Sequence, residues 1–166
     1  MIIHRRQARE EALQLLYALE LNRISLNEVL KDTTIIRPDG SPIDSFTGTL
    51  LKKAAETDTE CLSLIEKQTH NWDIERITLI DRLILRLAVT EFLYFPDIPP
   101  KVTINEALEI ARKYSTSDSV GFINGVLDAV LAELTASHRI YKEGRGLESC
   151  DRKQKKQVKG DTEKKR

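Results

Sequence analysis

Apolar positions recur at helical spacing along most of this chain, and that period predicts its elements. In residues 5–21, RRQAREEALQLLYALEL, the residues Ala8, Ala12, Leu15, Leu16 and Leu19 fall on one face of an amphipathic helix. Residues 25–32 predict a short helix with Ser25 as N-cap. Pro38-Asp39-Gly40 and Pro42 mark a loop. Asp44 or Ser45 can cap the next helix, whose apolar face carries Leu50, Leu51, Ala54, Ala55, Leu62 and Ile65. Gly48 and Thr57-Asp58-Thr59 weaken it and leave room for a break. Residues 71–77 read as a turn or connector, with Trp72 as a core anchor or, alternatively, a stacking platform.

Residues 78–95 are apolar nearly all the way round, which predicts a helix in the middle of a domain. Its interior polar stripe is Arg82, Arg86 and Thr90, and Thr78 with Asp81 resembles a capping box. Pro96, Pro99 and Pro100 end it. Residues 101–114 form the next helix, with a Thr103/Glu106 capping pattern or a start just after Pro100. Residues 119–134 form the last, capped by Ser117 or Asp118. Gly121 and Gly125 lie four apart on it, and the usual reason is close approach of another backbone or a ligand. With no convincing strand, the class is all-α, a compact bundle of six or seven helices.

Charge divides the chain. The totals balance at 26 basic and 26 acidic residues. Residues 138–166, however, hold 11 basic and 5 acidic side chains, and residues 1–137 hold 15 and 21. The division predicts a folded body over 1–137 and a disordered, Lys-rich tail over 138–166, too poor in apolar groups to order itself. Any nucleic-acid site on the acidic body has to be a local patch. No stretch approaches the apolar length that spans a bilayer, and no signal-peptide pattern opens the chain, so a cytoplasmic protein is expected.

Sites for chemistry are scarce. No P-loop, zinc-ligand or nucleophile-elbow pattern occurs, His4, His70 and His138 lack metal-ligand spacing, and Cys61 and Cys150 belong to no C-x-x-C pair. No enzyme, metal or cofactor is expected. The feature out of place is the start of the first helix. Arg5, Arg6 and Arg9 occupy its first turns with no carboxylate before Glu10, and cations there oppose the macrodipole at about 0.3–1 kcal/mol each. Either these arginines are solvated or paired to glutamates, or they contact an anion such as RNA.

The segment KVTINEALEIARKYSTSDSVGFINGVLDAVLAEL resembles the signature region of the NusB family, through Ile104-Asn105-Glu106-Ala107, Ala111-Arg112-Lys113 and Phe122-Ile123-Asn124-Gly125-Val126-Leu127-Asp128. The stretch from Arg5 to Tyr17 is similar to that family's arginine-rich start, and Ile80 to Ala88 to its central helix; the resemblance covers about residues 4–134. It implies two packed helical subdomains and no catalysis. It also implies binding to boxA RNA of nascent ribosomal RNA transcripts as a heterodimer with the ribosomal protein NusE, in a complex with NusA, NusG and RNA polymerase. By the same resemblance Arg5, Arg6, Arg9, Tyr17, Asp118, Phe122 and Asn124 are expected at the RNA, and Asp81 and Arg82 toward the protein partner. Asn124 can instead satisfy backbone groups locally. Gln7 and Gly121 stand where relatives often carry Arg and Lys, which removes positive charge from the patch. Two other readings compete: an RNA-docking module like those attached to RNA cytosine methyltransferases, and a helical protein–protein adaptor.

Overall fold

The computed structural model describes residues 4–23, 25–31, 41–69 and 77–149. Among these the chain forms seven α-helices and no strand: α1 (Arg5–Asn22), α2 (Leu26–Lys31), α3 (Ser45–Glu56), α4 (Asp58–Gln68), α5 (Leu79–Tyr94), α6 (Pro100–Tyr114) and α7 (Ser117–Ala136), then a 3-10 turn (Gly144–Ser149). The expectations for Pro38-Asp39-Gly40, His70, Trp72 and Cys150 fall outside the described residues.

The all-round apolar run behaves as its pattern dictates. From Leu83 to Phe92 every residue of α5 is buried, and α5 packs against α1, α3, α4, α6 and α7. Leu15, Leu16, Leu50, Leu51, Leu83, Leu85, Phe92, Ile123 and Leu127 meet in one continuous core. By length and composition α7 would suffice to cross a membrane, yet Ile123, Val126, Leu127, Val130 and Leu134 are its core face.

Caps follow the sequence with two changes of partner. Ser25 and Glu28 exchange hydrogen bonds as a capping box, Asp44 caps α3, and the expected break comes at Thr57. Thr78 accepts from the Asp81 N–H, but the Asp81 carboxylate does not return the bond; it turns inward to two serines. The α7 cap is Thr116, one residue before the expected pair. Pro100 opens α6, where its missing N–H costs nothing, and Thr103 in that first turn donates to Glu91 instead of capping.

The segment after α7 departs from expectation in its described part. Residues 138–149 do not leave the body; they fold back over the end of α5. His138 sits at φ 53°, Arg139 N–H bonds to the Leu134 carbonyl and His138 N–H to the Thr135 carbonyl, the paired bonds that reverse a chain at a helix end. Ile140 then packs on the core. Lys142 is 7% exposed and donates to the carbonyls of Glu91 and Phe95 at 3.1 and 2.8 Å, a cation at the negative end of α5. Glu143 N–H bonds to the Pro96 carbonyl at 3.0 Å. The Lys-rich composition concealed these few anchoring groups.

Candidate nucleic-acid interface

The start of α1 has no acid in its first turn and no side-chain cap. Carboxylates from other helices replace the local acids. Arg5 pairs with Asp97, just beyond α5, at 3.0 Å. Arg6 grips Glu106 of α6 through Nε and Nη2 at 2.9 and 2.8 Å. Arg9 makes the corresponding fork to Glu91 of α5, with Nη2 to Oε2 at 3.0 Å. The three pairs differ sharply in exposure. The Arg5 and Arg6 side chains are 54% and 49% exposed, whereas Arg9 and Glu91 are 6% and 2% exposed.

Arg9 is therefore a tether between α1 and α5, and Arg5 and Arg6 are the arginines of this start that face solvent. Thr103 adds a third hydrogen bond to the Glu91 carboxylate at 2.9 Å, and Phe46 of α3 lies under the guanidinium groups of both Arg5 and Arg9, 5.2 and 5.3 Å from its ring centre. The Arg6 hydrogen bond holds the Glu106 carboxyl below the usual carboxylate range, and the same bond raises Arg6. Around these groups opens a cleft of about 650 Å³, bordered by His4, Arg5, Arg6, Asp97, Glu106 and Arg145.

From the cleft a polar rail follows α1 and α6. Arg6 meets Glu106, Glu10 meets Lys113 and Tyr114, and Gln14 meets the Tyr114 hydroxyl. Positions 6, 10 and 14 are successive i,i+4 neighbours on one face of α1. Three residues on, Tyr17 is 37% exposed. The rail ends at the α6–α7 corner, where Asp118 is exposed in the first turn of α7. Farther along α7, Phe122 is half-buried and packs against the core, and the half-buried Asn124 donates to Asp128 at 3.3 Å. A Cβ at Gly121 or Gly125 would meet nothing within 4 Å, so no close approach within the described chain explains these glycines.

The two residues expected toward a protein partner separate. Asp81 is 4% exposed and accepts from the hydroxyls of Ser115 and Ser119, the latter at 2.8 Å, joining α5 to the α6–α7 corner. Arg82 is half-buried and borders a shallow cleft with Glu20, Asp58 and Arg86. Arg86 is buried there, bonded to the Ala54 carbonyl and paired with Glu20 and Asp58.

The sequence reading missed Lys113 and Tyr114 as parts of the α1–α6 face, and Arg145 altogether. The first two stand within the segment that carried the resemblance, but their pairing with Glu10 joins residues about a hundred positions apart. Arg145 was hidden by the tail's composition; the signals that could have located it are the apolar Ile140 and the glycines at 144 and 146.

The fold has close counterparts. A Thermotoga maritima NusB structure superposes with a TM-score of 0.68 at 32% identity, over 80% of this chain and 94% of that one. A crystal structure of the antitermination factors NusB and NusE in complex with double-stranded RNA superposes at 0.67 with 26% identity, over 80% and 99%. The transcription antitermination protein NusB of Salinibacter ruber is 42% identical over 148 residues, 89% of this chain and 92% of that protein. The model of the NusB family matches residues 6–132, a span that takes in Arg6 and Arg9 of the arginine start, the buried α5 and the whole α6–α7 corner. On sequence and architecture together, the chain belongs to the NusB family.

Proposed function

We propose that this protein is a non-catalytic antitermination factor that binds boxA-type single-stranded RNA as a heterodimer with the ribosomal protein NusE, within an assembly of NusA, NusG and RNA polymerase in the bacterial cytoplasm. The observation that carries the reading is the solvent-facing pair Arg5 and Arg6 at an acid-free helix start, opening onto the cleft. A guanidinium has five donors. Arg6 commits two of its nitrogens to Glu106, so it can take a phosphate oxygen while remaining positioned by the carboxylate. Sequence-specific RNA recognition adds stacking and base-edge contacts on unpaired nucleotides to such phosphate contacts. Tyr17, Phe122 and Asn124 are the groups of the right chemistry along and beyond the rail, with Asp118 at the corner between them. Arg9 acts behind this surface, by seating α1.

The protein partner belongs on the side of Arg82, with buried Asp81 setting the α6–α7 corner from beneath. A solved relative paired with NusE and RNA supports the partner. Arg5 and Arg6 on the cleft are each faced by a carboxylate, so affinity for RNA alone is expected to be modest and to rise in the heterodimer. A titration of boxA-type, scrambled and double-stranded RNA at several salt concentrations, with and without NusE, tests this. The expected order is boxA strongest, with NusE increasing both affinity and discrimination. An adaptor without an RNA role would bind NusE and leave all three RNAs equal and weak.

A further inference from the structure

We infer that Arg145 is an RNA-phosphate contact, delivered to the arginine cleft by the C-terminal segment. This rests on the RNA reading above and adds to it a residue from outside the matched family region, which ends at 132. Arg145 is exposed and borders the same cleft as His4, Arg5 and Arg6. It differs from the other cleft arginines in one respect: among the described residues it has no carboxylate partner, whereas Arg5, Arg6 and Arg9 each have one. Asp97 and Glu106 leave Arg5 and Arg6 little net charge to offer. The unpaired guanidinium is what gives this cleft a positive surplus, and a phosphate is the group a surplus of that kind attracts.

The segment is built to hold Arg145 there. Lys142 is buried and bonded to two carbonyls at the end of α5, and Glu143 bonds to Pro96. Gly144 turns the chain at φ 53°, and Gly146 bonds back to the Glu143 carbonyl at 2.9 Å. At Gly146 a Cβ would collide with the Pro96 carbonyl oxygen, so the backbone approaches as near as only glycine allows. Arg145 lies between these two glycines, on a short 3-10 turn fastened at both sides. This is the geometry of a presented side chain and not of a passing tail.

The test uses the full-length protein with its NusE partner and a boxA-type single-stranded RNA oligonucleotide. Wild type, Arg145→Ala, Arg145→Lys, Gly146→Ala and Arg6→Ala as a reference are titrated between about 50 and 200 mM salt. One contact on a single strand contributes a slope of roughly 0.7, so the advantage of wild type over Arg145→Ala should shrink by about 2.5-fold across that range. Arg145→Lys should retain most of the affinity. Gly146→Ala should reproduce the loss, and adding it to Arg145→Ala should change nothing further. If Arg145→Ala matches wild type while Arg6→Ala weakens, the inference falls and the RNA reading stands. If the wild-type pair does not bind the RNA, the RNA reading falls and the inference with it.

Discussion

The two ends of the proposed RNA surface are organised in opposite ways. At the α1 end, every arginine of the helix start is matched by a carboxylate from elsewhere in the chain, and one pair, Arg9 with Glu91, is buried outright. At the α7 end, the outer face is open: Gly121 and Gly125 have empty space where a Cβ would stand, and Asp118 is exposed. Beneath that open face, Asp81 is buried against two serines. The contrast shows that residue type does not assign a role. Of three arginines within five positions, the one buried with a carboxylate fastens the fold, and the two at the solvent face of the cleft, though paired, stay about half exposed.

The strongest way to break this division is at Glu91. Its carboxylate is the buried partner of Arg9 and of Thr103. Glu91→Gln leaves the buried Arg9 charge with only the longer contact to Glu106, at 4.0 Å, and breaking one side of a buried pair costs about 3–5 kcal/mol. Chemical denaturation should therefore show a large loss of stability for Glu91→Gln. If the loss is under about 1 kcal/mol, the pair behaves like a surface salt bridge, and Arg9 is not the tether described here.

The open end predicts a smaller change of the opposite sign. Glycine in a helix interior is less favourable than alanine by about 0.8–1.0 kcal/mol, and neither Gly121 nor Gly125 meets an obstacle to a methyl group. Gly121→Ala and Gly125→Ala should each stabilise the free protein by up to that amount in thermal or chemical unfolding. Binding should move the other way, weakening for RNA or NusE, because the empty space is then occupied. Stabilisation with unchanged binding would take this face of α7 out of the interface.

The architecture was legible in the sequence where periodicity carried it. The all-round apolar run at 78–95 had to be a central helix, and the break near Thr57 and the Ser25 cap followed from local chemistry. Pairings over long sequence distances were not legible. Nothing around position 9 specifies that its guanidinium will find Glu91, and nothing around 81 specifies that its carboxylate will leave the α5 cap for Ser115 and Ser119. Composition misled at 138–149: eleven cations in the last 29 residues suggested a solvated tail, yet one lysine directed at the carbonyls of a helix end and one glycine against Pro96 are enough to dock its beginning. Of the candidate site, the arginine start was visible as a violation of helix electrostatics. Its division into tether and surface required the burial of each side chain.

The smallest effect on stability, and the finest test of the α1 end, is Glu106→Gln. The Glu106 carboxyl lies below its ordinary value of 4.5, chiefly through the Arg6 hydrogen bond; partial burial opposes this, and the charges of Arg6 and Arg9 add to it. A depressed carboxylate contributes stability that is complete above the ordinary value and is lost as pH falls through the folded-state value. Arg6 is solvent-exposed, so screening keeps the contribution small, and the variant should unfold close to wild type at neutral pH. RNA binding should respond more clearly. Removing the carboxylate frees Arg6 for phosphate, so affinity should increase. In wild type, a phosphate that draws Arg6 from Glu106 lets that carboxyl rise toward 4.5. The RNA-bound form then holds more protons just below that pH, and linkage requires affinity to increase as pH falls through the window. Protonation of the RNA bases acts on both proteins equally, so the difference between wild type and Glu106→Gln isolates this term. Parallel pH profiles for the two proteins would mean that Arg6 keeps Glu106 when RNA binds, and that the phosphate contact uses only its remaining donors.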